Sequence, residues 1–138
     1  MRRFSYTSLA VLTTLAGSAA FQAAQAETVV IVSAKSTATT MTPEEISDIY
    51  LGKATTMKPV DSGDAPVRTQ FYSKVAGKDD AQVKAIWARL VFTGKATPPK
   101  VLASSADVVK AVAADPNAIG YVDKSAADAT VKIVHEVK

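Results

Sequence analysis

The sequence has no cysteine and a single histidine, His135. Without thiols there is no disulfide, no thiolate metal site and no cysteine nucleophile. One imidazole excludes His-His zinc motifs. It also leaves any Ser-His-Asp triad with one candidate base, and no Gly-x-Ser-x-Gly elbow supplies the serine. A non-enzymatic protein without metal or cofactor is therefore expected. Charge is sparse as well: 21% of the 138 residues are charged, and the lysines are spread singly with no block of five or six. The acidic pairs Glu44-Glu45 and Asp79-Asp80 fall where first helical turns are expected, which acids favour through the helix dipole, so neither is read as a metal or acid/base site.

Long apolar runs are missing too, except near the start. Arg2 and Arg3 precede an apolar stretch, Leu9 to Ala20, and Ala24-Gln25-Ala26 is a small-x-small cleavage site. This is the pattern of a signal peptide over residues 1–26, suited to general secretion more than to the twin-arginine route. The expected mature protein is a single periplasmic domain, 27–138, not inserted in the membrane. Losing Arg2 and Arg3 lowers the formal charge from +3 to +1, which removes the main support for a nucleic-acid partner.

What remains alternates strand-like and helical runs. Thr28 to Val32 is continuously apolar, as in a strand buried on both faces, and a parallel, central position is expected for it. Thr42-Pro43-Glu44-Glu45 carries a capping box with proline at the first helical position, and Ile46, Ile49 and Tyr50 share a face before Gly52. Met57 to Val60 reads as extended and Asp61 to Pro66 as a loop. Val67, Phe71 and Val75 form a stripe ending at Gly77. A helix over Asp79–Phe92 places Val83, Ile86, Trp87, Leu90 and Val91 inward. Lys100 to Ala103 is a short strand, Ser104 or Ser105 caps a helix through Val108, Val109 and Val112, and Ile119 to Val122 is a strand in which Gly120 permits close approach. In the last strand His135 shares parity with Val131, Ile133 and Val137, on the apolar side, as a structural residue. Together these elements imply an α/β fold of three layers, helix/mixed sheet/helix.

In such folds ligands sit beyond strand ends. Three junctions hold hydroxyls, glycine or cations: Ser33 to Thr40, Asp61 to Thr69, and Ala103 to Ser105. Ser62, Gly63, Arg68 and Thr69 are the leading anion-binding candidates, because hydroxyls and a guanidinium fork suit phosphate-like oxygens. Ser36, Thr37 and Tyr121 are added as further ligand candidates.

The order of Thr-Pro-Glu-Glu helix, Ile49-Tyr50-Leu51-Gly52-Lys53, the Ser62-Gly63 loop with Arg68 and Phe71, and Ala118-Ile119-Gly120-Tyr121-Val122 resembles the phosphate-binding proteins of ABC transporters. The resemblance covers nearly all of the expected mature chain. That family has a Ser-Gly-Thr-Arg loop, whereas here Arg68 is displaced by extra residues and Asp64 adds an acid. The family also closes two lobes of a type II periplasmic-binding architecture around phosphate, and this chain has the length of about one. The resemblance implies an exported solute-binding lobe for inorganic phosphate or another small oxyanion, working with an ABC transporter permease or a sensor protein, with a homodimer as one means of rebuilding the clamshell. The alternative is a non-catalytic interaction scaffold derived from such a lobe.

Overall fold

The computed structural model describes residues 27–138; the expected signal peptide lies outside them. The elements run β1 (Thr28–Ser33), α1 (Pro43–Tyr50), β2 (Lys58–Ser62), α2 (Ala65–Phe71), α3 (Asp80–Phe92), β3 (Lys100–Leu102), α4 (Ser105–Ala114), β4 (Ala118–Asp123) and β5 (Val131–Glu136). The five strands form one mixed sheet in the order β3-β2-β4-β1-β5. Among the described residues no helix is long and apolar enough to cross a membrane.

Alternation along the strands divides the core in two. Val30, Val32, Ile119 and Tyr121 face α1, α2 and α3, together with Tyr50, Phe71 and Trp87. Val29, Ile31 and Val122 face α4, whose Val108, Val109 and Val112 cover them. On that second face Gly120 lets α4 close onto the sheet, because a Cβ there would stand 2.6 Å from Val108 and 2.8 Å from Val112. Helices thus cover both sides, as the three-layer expectation requires.

The expected parallel setting of β1 is incorrect. It is interior, but antiparallel to both neighbours, β4 and β5. Continuous burial reports that helices cover both faces, which they do here, and carries no information about strand direction. The parity expected for β5 holds at Val131 and Val137, which are buried, and fails between them. Its pairing with β1 shifts register between Val30 and Ile31, so Val134 is buried, Ile133 is exposed and His135 is half-buried. A bulge of this kind carries a strand's inward set from one face to the other.

The capping expectations hold. Thr42 and Glu45 form the reciprocal box of α1, Ser104 caps α4, and Asp79 with Gln82 forms a second box at α3. Gly52 takes a φ of 76° after α1, which is a left-handed position that glycine tolerates best. Two helices differ from expectation. α2 does not continue regularly to Gly77 but passes into a π turn, Tyr72–Ala76. α3 buries Val83 and Trp87, with Trp87 Nε1 donating to the Tyr50 carbonyl at 3.0 Å, yet leaves Val91 outside.

Candidate functional site

Strand β2 extends further than its sequence suggests. Asp61 and Ser62, which read as loop, are its last two residues, and both are buried. Beside them β3 runs parallel, and the Gly63 N–H donates to the Leu102 carbonyl at 2.7 Å. The carboxyl ends of β2 and β3 therefore open together under α2 and the start of α3. An open cleft of about 910 Å³ lies there, and Ser62, Gly63, Arg68 and Thr69 all line it.

The centre of this arrangement is a residue that the sequence reading passed over. Asp61 accepts from the Tyr72 hydroxyl at 2.9 Å, from the Tyr121 hydroxyl, and from the Ser62 N–H at 2.9 Å. Arg68 Nη1 stands 2.6 Å from Oδ2, the oxygen that Tyr72 also reaches, while Ser62 and Tyr121 share Oδ1, and the two side chains are only 19% and 5% exposed. A buried carboxylate is costly unless paired and hydrogen-bonded, and Asp61 is both. The π turn contributes directly. It begins at Tyr72, which is buried beside Phe71, Phe71 stacking on Tyr121 at 4.0 Å and Tyr72 reaching Asp61.

Arg68 has a second acid. Its Nε donates to Asp80 at 3.0 Å, and the other oxygen of Asp80 meets Lys84 Nζ at 2.9 Å. Burial disfavours the guanidinium charge, but Asp61 and Asp80 outweigh it and hold Arg68 protonated. The hydrogen bonds from Lys84 and Arg68 draw the Asp80 pKa below the usual carboxylate range. Burial first, and then the Asp61 charge, pushes the hydroxyls of Tyr72 and Tyr121 well above the ordinary tyrosine value. The guanidinium also lies 5.0 Å from the centre of the Tyr72 ring, within cation–π range.

Not every candidate reaches the cleft. Tyr121 lies below its floor, fully buried, with its hydroxyl committed to Asp61. Ser36 and Thr37 follow β1, and because β1 is antiparallel to β4, and β4 parallel to β2, they lie at the opposite end of the sheet. There Ser36 accepts from the Ala38 N–H and, through its carbonyl, from Lys132. The parallel strand expected from the sequence had grouped them with Ser62. Asp64 is not part of the lining, whereas Asp80, Lys84 and Lys78 are. The sequence marks Asp80 as a first-turn acid, and its spacing of four from Lys84 is the signal for its second role.

No protein-family model and no curated protein matches the sequence. Solved structures do match. A protein assigned as a phosphate ABC transporter substrate-binding protein from Clostridium perfringens, solved with bound phosphate, superposes with a TM-score of 0.62 at 22% identity, over 79% of this chain and 44% of that one. The fold is the one these phosphate receptors share. An ABC-type phosphate transport receptor from Vibrio cholerae matches with a TM-score of 0.62 at 17% identity, over 80% and 46% of the two chains. PstS from Borrelia burgdorferi gives 0.58 at 13%, over 79% and 46%. The chain spans less than half the length of the phosphate receptors it matches, the proportion of a single lobe. Those neighbours are binding proteins.

Proposed function

We propose that the chain is an exported solute-binding lobe that takes inorganic phosphate or a similar small oxyanion in the cleft beside β2, for ABC-type uptake or for sensing, in the periplasm. The observation that carries this reading is the place of Asp80. Its carboxylate bridges two cations at the cleft, Arg68 and Lys84, and it is itself half exposed. A tetrahedral oxyanion has the charge and the oxygens to replace it, with Gly63 and Thr69 beside it on the same lining. Opening the exposed Lys84–Asp80 pair costs only about 0.2–1 kcal/mol, while Arg68 is the more buried of the two cations. Asp61 stays in place throughout and keeps the inner edge of the guanidinium fixed.

A single lobe leaves the far side of the anion in water. A few charge-assisted bonds, less the cost of association, correspond to a Kd of roughly 0.1–10 mM. A second copy closing over the cleft would cover that side, so phosphate would then favour the dimer by mass action. Titration calorimetry with phosphate and sulfate tests the site. Asp80→Asn removes the internal competitor and should tighten phosphate by about twofold to tenfold. Phosphate heats that are absent in the wild type and in Asp80→Asn alike, at concentrations up to about 200 mM, would sink the reading.

A further inference from the structure

From Ala81 to Ala106 the chain holds four cations, Lys84, Arg89, Lys95 and Lys100, and no acidic residue. All four are exposed. The same stretch contains three of the large hydrophobics that stand out from the surface: Val91 is 50% exposed, Phe92 92% and Val101 58%. The outward face of α3 is apolar for most of its length. Ala81, Ala85, Ala88 and Phe92 recur at helical spacing and are all exposed. Arg89, Val91, Phe92 and Lys95 lie within seven residues of chain, at the end of α3 and its Thr93–Gly94 turn, so the aromatic ring is set among cations.

We infer that this end of α3 is a docking surface for an anionic lipid bilayer, with Phe92 entering the headgroup region and Arg89 and Lys95 meeting lipid phosphates. Charge complementarity selects the partner: Lys84 is paired with Asp80, but Arg89 and Lys95 stand in a stretch of chain without acids, which suits a negatively charged surface. The interleaving selects a bilayer over a protein. Cores of protein interfaces exclude lysine and need a pocket for each projecting ring, whereas an interfacial helix keeps cations beside its apolar residues and the bilayer needs no matching cavity. Lys84 and Val101 also line the cleft, so the surface borders the candidate site, but the inference does not depend on what that site binds.

The absence of cysteine makes the test local. Thr93→Cys carrying an environment-sensitive fluorophore reports on the α3 turn alone, and residues 1–26 contribute equally to the full chain and to all its variants. Vesicles of equal phosphatidylglycerol and phosphatidylcholine should give a blue shift at low salt that is lost at about 0.5 M salt, where the Debye length falls to a few ångströms. Each cation is worth roughly fivefold in partitioning, so Arg89→Gln with Lys95→Gln should weaken the response at least tenfold. Phe92→Ser should abolish the blue shift even where co-sedimentation persists. An equal shift on pure phosphatidylcholine, no shift on either vesicle, or a shift with polyglutamate but not with vesicles would each overturn the proposal, the last in favour of an acidic protein.

Discussion

The two faces of the sheet are built on opposite plans. Against α4 the packing is wholly aliphatic: Val29, Ile31, Val108, Val112 and Val122 interlock, and close approach at Gly120 does the rest. Against α1, α2 and α3 the core is aromatic, with Tyr50, Phe71, Tyr72 and Tyr121 packed edge to face or stacked. Three of those four rings carry hydroxyls, and each hydroxyl is assigned. Tyr50 donates to the carbonyls of Val60 and Ile119, while Tyr72 and Tyr121 donate to Asp61. The aliphatic face can be stable by volume alone. The aromatic face has admitted a charge, and can keep it only while a guanidinium and two phenols surround it.

The largest expected difference between the faces is alkaline. Burial raises the pKa of Tyr50, Tyr72 and Tyr121 above the ordinary value of about 10. Their contribution is therefore fully present below about pH 10, and it is lost as rising pH ionises them in the unfolded chain first. Stability should fall by up to about 4 kcal/mol per pH unit above that point, followed by denaturant midpoints and by phenolate absorbance appearing only with unfolding. In a Tyr6→Phe background, which leaves only these three tyrosines, phenolate that titrates near pH 10 in the folded protein would erase the contrast.

Arg68→Met strikes the aromatic face next, leaving Asp61 buried without its cation. A loss of about 3 kcal/mol is expected at neutral pH, read from denaturant midpoints. On the aliphatic face Gly120→Val forces a side chain into Val108 and Val112 and should cost about 2 kcal/mol, with no pH dependence between pH 4 and 9. Tyr72→Phe removes one donor from Asp61 and should cost about 1 kcal/mol. If Gly120→Val proved pH-dependent over that range, or Arg68→Met cost no more than Tyr72→Phe, the assignment of charge to one face would be wrong.

The aliphatic face was legible in the sequence because periodicity encodes it: Val108, Val109, Val112 and the glycine at 120 need only local spacing to be placed. Caps at Thr42 and Ser104 are legible for the same reason. Asp61 was not, since a polar residue next to Ser62, Gly63 and Asp64 has the composition of a loop. What buries it lies 7, 11 and 60 residues away. Nor could strand direction be read from burial, and that one missing sign separated Ser36 and Thr37 from the cleft. The β5 register shift is of the same kind, a tertiary adjustment that moved Val134 inward against a regular alternation.

The π turn at Tyr72–Ala76 has a meaning for how this sequence tolerates editing. A wide turn accommodates one residue more than the regular helix would, so its neighbourhood is tuned to chain length as well as to residue type. Deleting a single residue there would let α2 relax into an ordinary helix, rotating the residues beyond it by about 100°. Val75 and Ala76, which pack against the aromatic core, would be turned away from it. The packing around the aromatic core thus depends on a count of residues, and small insertions or deletions between Phe71 and Gly77 should be far less tolerated than most substitutions in the same stretch.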